Sequence, residues 1–462
     1  MINPTGQDRT TTAPETSETS TSTTGTSNTG TSSTGTIDVL LVGAGHRTLR
    51  YAGYAEEHPD QMRVVGVVDP NPVRRRAAAE RFGIPAERQW ERVADLPDEP
   101  VARAAINGTM DALHVPLGLA LLDLGYDMLL EKPVSLDPAG LLQLEERASA
   151  TGRTVAVCHV LRHAPFYAEI KRRVHAGEIG RVLSIDLAEQ VAYDHMASAF
   201  VRGRWRNEAE SGSSILLAKC SHDMDLMSWF AGPTRPVRAT SAGSLSWFTE
   251  ANAPAGSGTR CLTDCAIEES CAYSAKRVYV DLGRWGAYAW ESLEHLDHPA
   301  TDEEKLASLA TDNPFGRCVW RTDNTVVDRQ GVLVEFENGA TGTMTMATTA
   351  AKGSRTIHLV GTAGEIEGKM EEDQFVLRRF DASGVHHSEE VVDTAGGEDF
   401  HGGGDLRLVG DFVAVLNGEQ PSLSTTDLAG SVNGQLSAFA AEEGRRTGSW
   451  VELDEMRGRY GD

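Results

Sequence analysis

The spacing of apolar residues changes character along the chain. From Ile37 the run Val39-Leu40-Leu41-Val42 has no polar interruption, as in a strand buried on both faces. Gly43-Ala44-Gly45 then forces a turn, and helix-compatible residues follow from Thr48 to Glu57. Similar apolar runs recur at Met62–Val68, Ala104–Asn107, Asp127–Leu130 and Arg153–Val157. Helical patterns separate them at 73–82, in a stretch after Thr109 that contains His114 and ends near Gly125, and at 136–151. Strands alternating with helices predict a parallel sheet with right-handed crossovers, whose ligand lies at the carboxyl ends of the strands.

Beyond residue 160 the pattern shifts. A helix is expected at 165–176, a strand at 182–191, and a single helix at 213–230. Val332, Val334 and Phe336 then alternate, and Asn338-Gly339 is a hairpin signal. Strands at 341–347, 356–361, 365–368 and 374–380 continue the meander. Helices follow from Asp405, as cap, to Leu416 and at 426–445. The expected fold class is therefore α/β followed by α+β. Residues 37–160 form an N-terminal Rossmann dinucleotide-binding domain. Residues 161–455 form a C-terminal domain with an open, largely antiparallel sheet, helix-packed on one face and free to pair subunits on the other.

Composition narrows the classes. Residues 1–36 contain twenty Thr or Ser and little that is apolar, so a disordered tail is expected there. The tail lacks an apolar signal region or twin arginine, and a cytoplasmic location is expected. A formal net charge of -24 argues against nucleic acid and anionic membranes as partners.

The chemistry gathers at the strand ends. Gly43 permits the turn after the first strand, and Gly45 lets the backbone approach a pyrophosphate. The third glycine of Gly-x-Gly-x-x-Gly is replaced by Thr48. Asp69, at the tip of the second strand, is placed to accept bonds from adenosine ribose hydroxyls. Its charge would repel a 2′-phosphate, which favours NAD, while Arg47 and Arg74 to Arg76 leave NADP open. Glu131-Lys132-Pro133 follows the fourth of these strands. A lysine partly desolvated there can exchange a proton with a substrate hydroxyl as hydride moves.

The glycine turn, Asp69, Thr109 with His114, and Glu131-Lys132-Pro133 together resemble the Gfo/Idh/MocA oxidoreductases, the glucose-fructose oxidoreductase and inositol dehydrogenase group. The resemblance spans about Ile37 to Leu453 and implies an NAD(P)-dependent enzyme acting on a sugar or cyclic polyol. The expected cofactor contacts are Gly43, Ala44, Gly45, His46, Arg47, Thr48, Asp69, Asn107, Thr109, His114, Glu131 and Lys132. The family commonly has His-x-x-Asp in its second domain, matched by His222 and Asp225. An Asp often stands four residues before that His; here the position is Ala218, and Lys219 becomes the stand-in. Lys132, His222 and Lys219 are therefore the expected catalytic group. His159, Arg162, His195, Arg202, Trp205 and Asp225 are the expected substrate contacts. A homodimer or homotetramer through the C-terminal sheet is expected.

Two features stand apart. Cys261, Cys265, Cys271 and Cys318 lie in polar surroundings at spacings compatible with a structural zinc. His401-Gly402-Gly403-Gly404 suits either a loop folded closely over something or a flexible surface loop. Two other functional classes fit the same sequence: a glycosidase that borrows NAD for a transient oxidation, and a non-catalytic dinucleotide-sensing regulator.

Overall fold

Six strands build the first sheet: β1 (Ile37–Val42), β2 (Met62–Val68), β3 (Gln89–Trp90), β4 (Ala104–Asn107), β5 (Asp127–Leu130) and β6 (Val155–Val157). All pairings are parallel, in the order β3-β2-β1-β4-β5-β6. The computed structural model describes residues 35–461 except 297, 382, 384, 385 and 398–400, so the expected tail falls almost wholly outside the described residues. Strand β1 sits at the centre, and Val39, Leu40 and Leu41 are fully buried. The two-residue β3 was not foreseen; it is too short to show a period. Strand order reverses between β1 and β4, which opens a crevice at their carboxyl ends.

Local signals set several helix ends. Asn71 caps helix Pro72–Phe82 by accepting the Val73 N–H, and Gly83 ends it at φ +66°. Asp137 caps Pro138–Thr151 in the same way. The helix expected at 48–57 is two, His46–Ala52 and Tyr54–Glu57, divided at Gly53.

The second sheet has nine strands: β7 (Val182–Ala192), β8 (Pro236–Ser244), β9 (Arg329–Phe336), β10 (Thr341–Ala350), β11 (Ser354–Gly361), β12 (Gly364–Lys369), β13 (Gln374–Phe380), β14 (His387–Asp393) and β15 (Val451–Glu452). Their order is β14-β13-β12-β11-β7-β10-β9-β8-β15, antiparallel except where β7 meets β10. Met344, Met346, Leu187 and Val334 face inward beneath helices Ser221–Ala231 and Leu428–Thr447. Thr341, Thr345, Leu183 and Asp186 are exposed on the other face.

Two segments depart from chain order. Between β8 and β9 the chain leaves the sheet for an excursion with its own small core of Val278, Tyr279, Leu309 and Phe315. Helix Gly404–Leu416 returns to the first sheet. Its Leu408, Val409, Phe412 and Val413 join the core that holds Val39, Leu41 and Ile106. Burial of this kind contributes about 1.5–3 kcal/mol per large side chain. Asp405 is not the cap of that helix; Gly403, at φ +83°, begins it without a side-chain cap. Among the described residues, no helix is long and apolar enough to cross a membrane.

Candidate active site

The glycine turn is crowded on one side and open on the other. Gly43 adopts φ +79°, and a Cβ there would press on Thr109 and Gly108. A Cβ on Gly45 would meet nothing within 4 Å, so that side of the turn opens away from the protein's own atoms. Thr48 explains the missing third glycine. It is fully buried against Gly108, where an added Cβ would lie 2.3 Å from the Thr48 hydroxyl. The close approach is kept, but the glycine that allows it sits after β4. Asp69 ties this region to β2, accepting from the Ala44 N–H at 2.6 Å and the Asn71 N–H at 2.7 Å.

His114 has a positioning role. Its ring nitrogens lie 2.7 Å from the Pro133 carbonyl and 3.1 Å from the Thr109 carbonyl, linking the turn after β4 to the turn after β5. Asn107 accepts from the Thr109 hydroxyl at 2.8 Å and donates to the His114 carbonyl.

Glu131 is the hub of the strand ends. It accepts from Arg47 Nε at 3.0 Å, from the Tyr51 hydroxyl at 2.7 Å, and from the Lys132 N–H at 2.7 Å. Burial would raise its pKa, but Arg47, Lys132 and Tyr51 outweigh it and hold the carboxyl at about 2. Arg47 continues the chain of contacts to Asp405, which accepts from His401 Nδ1 at 2.9 Å. The glycine-rich segment therefore does fold over the site, and it brings His401 within 5.6 Å of the His222 ring.

The Lys132 Nζ donates to the Ala218 carbonyl at 2.8 Å. The Lys132-Pro133 peptide is cis. Burial lowers the Lys132 pKa, with Lys219 and Arg47 adding to the effect and Glu131 and Asp111 opposing it. His222 is buried, and its ring lies 5.9 Å from that of His159. Burial, Lys132, His401 and His159 push His222 well below its ordinary value. His159 is lowered to about 4 by burial, against the pull of Asp225. Both imidazoles are thus neutral near pH 7.

The helix expected at 213–230 is broken. Ile215–Ala218 stops at Lys219, and Ser221–Ala231 begins after Cys220. The break sends Lys219 to Glu189 on β7, 3.3 Å away. Glu189 also pairs with Arg355 at 2.5 Å, and Arg355 with Asp223 at 3.1 Å. Burial, reinforced by Glu189, raises the Asp223 pKa; Arg355 and Lys219 oppose it. Glu189 and Arg355 were missed in sequence although a signal exists. Glu189 shares strand parity with buried Leu187 and Val191, Arg355 shares it with Ile357 and Leu359, and the two are register partners. Two opposite charges at apolar positions of neighbouring strands mark a buried pair.

The expected substrate residues divide. Arg162 and Asp225 form a buried two-bond pair at 2.5 and 2.7 Å, so they answer each other's charge and fix the domain junction. Arg202 is buried at 1% exposure and donates to the carbonyls of Arg317 and Tyr273 and to Cys261 Sγ. It pins the excursion. His195 stays at the site. It stacks on Trp285 with centroids 4.2 Å apart, and Trp285 in turn stacks on Tyr288. Trp285 is held at φ +57°, with its indole N–H donated to the buried Asp194. Tyr288 meets His46 edge-on at 5.5 Å and Trp205 at 6.0 Å. Trp205 donates to Asp111 at 2.8 Å. An aromatic wall therefore runs from His195 to the glycine turn. Trp285 and Tyr288 were invisible in sequence because they lie in an irregular segment without a period.

The zinc expectation is corrected. Cys261, Cys265, Cys271 and Cys318 line one small cavity, but so does Arg202. Its guanidinium donates to Cys261 Sγ at 3.5 Å, placing a cation where a metal would approach. Among the described residues, no group of three or more His, Cys, Asp or Glu is arranged to hold a metal ion.

Comparison with known proteins agrees with this geometry. Residues 37–159 match an oxidoreductase family model described as an NAD-binding Rossmann fold, and residues 171–453 match that family's C-terminal alpha/beta domain. The oxidoreductase YteT of Bacillus subtilis is 26% identical over 75% of this chain and 78% of its own length. Inositol 2-dehydrogenase 4 of Saccharopolyspora erythraea is 30% identical over 43% of this chain, a match spanning 61% of that protein. Among solved structures, a levoglucosan dehydrogenase in complex with NADH and levoglucosan has TM-score 0.65 at 18% identity, covering 90% of this chain and 99% of that one. An NAD-binding oxidoreductase from Klebsiella pneumoniae has TM-score 0.66 at 15% identity, with 90% and 99% covered. Two sheets of these kinds, joined at a strand-end lysine, define a two-domain nicotinamide-dependent oxidoreductase. The chain belongs to the Gfo/Idh/MocA oxidoreductase family.

Proposed function

We propose that the protein is an NAD-dependent dehydrogenase that oxidises a secondary hydroxyl of a sugar, a sugar derivative or a cyclic polyol. The observation that carries this reading is the convergence of half-buried Lys132 with buried, neutral His222 and His159 beside the glycine turn. Residues 37–160 hold the dinucleotide, with the open side of Gly45 toward its phosphates and Asp69 toward its ribose. NAD, when bound, supplies the hydride acceptor. Lys132 accepts the hydroxyl proton, because its lowered pKa makes a neutral amine accessible. His222 shares that proton, and Lys219 acts on Lys132 through its charge.

The C-terminal residues 161–455 provide the substrate pocket. The His195, Trp285 and Tyr288 rings offer a flat apolar surface beside polar groups, which suits the C–H face of a ring and its hydroxyls. The inositol and levoglucosan dehydrogenases among the similar proteins support a cyclic substrate. We also place the protein in the cytoplasm and pairing of copies on the open face of the second sheet.

The test is to follow NADH formation by purified protein with NAD and a panel of cyclic polyols, hexoses and anhydrosugars. Turnover on at least one panel member, absent in Lys132→Met, is expected. No turnover on the panel together with hydrolysis of an aryl glycoside would replace the reading with the NAD-borrowing glycosidase.

A further inference from the structure

We infer that Glu291 and Glu294 of the excursion between β8 and β9 are cofactor-selectivity residues, which exclude NADP by capturing Arg74. The inference rests on the NAD-dependent reading above and names the residues that enforce it.

Discrimination at this end of a dinucleotide site depends on charge. An acidic residue after the second strand binds the ribose hydroxyls, and a nearby arginine accommodates a 2′-phosphate. Asp69 occupies the acidic position, and the helix after it carries three consecutive arginines, Arg74, Arg75 and Arg76. By sequence alone this is an ambiguous site. The structure ties down Arg74 and Arg75 and leaves Arg76 exposed. Arg75 turns back to the carbonyl of Asp69. Arg47 is held by Glu131 and Asp405.

Arg74 stands in the first turn of the helix and reaches across to the excursion. Its Nε donates to Glu294 at 2.8 Å, and its Nη2 donates to Glu294 at 3.0 Å and to Glu291 at 2.8 Å. Glu291 is itself tied down from the other side by Arg204. The pair sits at the cleft and not on a remote surface: Arg74 and Arg204 are both among the charges acting on His46, the first residue after Gly45. Tyr288, three residues before Glu291, touches the His46 ring.

The consequence follows from the charges. A 2′-phosphate brought to this end would find its natural partner already paired with two carboxylates. It would also meet a second and third negative charge beyond Asp69. NAD carries no charge at that oxygen and avoids the repulsion. The side chains are partly exposed, at 28% for Arg74, 41% for Glu291 and 34% for Glu294, so water screens the interaction and the effect is moderate.

The experiment is a fluorescence titration of the full chain with NAD, NADH, NADP and NADPH. The unmodified protein is expected to bind NAD(H) more tightly than NADP(H). Glu291→Gln with Glu294→Gln removes both carboxylate charges without changing shape. It should tighten NADPH binding by about tenfold, with NADH affinity changed by less than about threefold. Glu294→Gln alone should give a smaller shift of the same sign. Adding Arg74→Ala to the double variant should erase the gain, because the released guanidinium is what the phosphate binds.

A folded double variant with an unchanged NADPH-to-NADH ratio overturns the selectivity role and leaves the NAD reading intact. A gain that survives Arg74→Ala overturns the capture of Arg74. Tighter NADP(H) than NAD(H) binding by the unmodified protein, or no dinucleotide binding at all, overturns the NAD reading and this inference together.

Discussion

The Lys132 ammonium donates to the backbone carbonyl of Ala218 at 2.8 Å. In the family pattern a carboxylate often stands at that residue, four before the histidine. Here a peptide oxygen takes the contact, and it orients Nζ without stabilising the charged amine as an anion would. Lys132→Met is expected to abolish turnover. NAD affinity should remain within roughly threefold, since the glycine turn lies elsewhere. Near-native turnover in a folded Lys132→Met protein would remove the lysine from the mechanism.

The same contact makes the pH profile informative. Oxidation needs the neutral amine, so kcat/KM should rise with pH and level off above the Lys132 pKa. Burial sets that pKa below the ordinary lysine value, and Lys219 adds to the lowering. Lys219→Ala removes a like charge, raises the Lys132 pKa, and should move the rising limb to higher pH. A limb that stays in place or moves down would show that Lys219 does not act on Lys132 through charge.

His222→Ala should cost roughly 10²- to 10⁴-fold in rate if the imidazole shares proton transfer. His222→Gln keeps much of the volume and tests whether the loss is chemical. Equal losses in the two variants, with unchanged thermal stability, are the expected result. Recovery of most activity by Gln would assign His222 to hydrogen bonding alone.

Acid should destabilise the fold through the buried imidazoles. The His159 pKa falls to about 4 when folded, from an ordinary value near 6.5, mainly through burial. A depressed folded pKa stabilises above the unfolded value, and that contribution is lost as pH falls from about 6.5 towards 4. For His159 alone this is about 3 kcal/mol at most. The melting temperature should drop steeply across that window, and His159→Gln should flatten the slope. An unchanged slope would mean the ring stays hydrated.

Arg202→Met should destabilise the excursion without touching the chemistry directly. The carbonyls of Tyr273 and Arg317 would each lose a buried donor, at about 1–3 kcal/mol apiece. Calorimetry should show a lower or split transition. Elemental analysis of native protein should show no stoichiometric zinc, consistent with a guanidinium among the four cysteines.

Sequence patterns were most legible where one local rule acted alone. β2 was expected at Met62–Val68 and occurs there, because an uninterrupted apolar run ends at Asp69. The position of Lys132 at a strand end was legible because a short tripeptide follows a buried strand. The break at Lys219 was not, because helical spacing on either side hides a kink that satisfies the Glu189 charge. Asp225 was expected at the substrate from the family's His-x-x-Asp pattern and Arg162 from its place between the domains, but their mutual pairing depends on a contact 63 residues apart. Trp285 and Tyr288 required the excursion to fold before any role could be read.

Helix Gly404–Leu416 closes the core beneath the glycine turn, and Asp405 grips Arg47 from the far end of the chain. A ribosome therefore releases most of the polypeptide before the core packed on the first sheet is complete. Until then Leu41 and its neighbours lack their apolar cover, and Arg47 lacks one of its anchors. A nascent chain stalled before residue 404 should be sticky to chaperones and poor at retaining nucleotide, so competence arrives late and all at once.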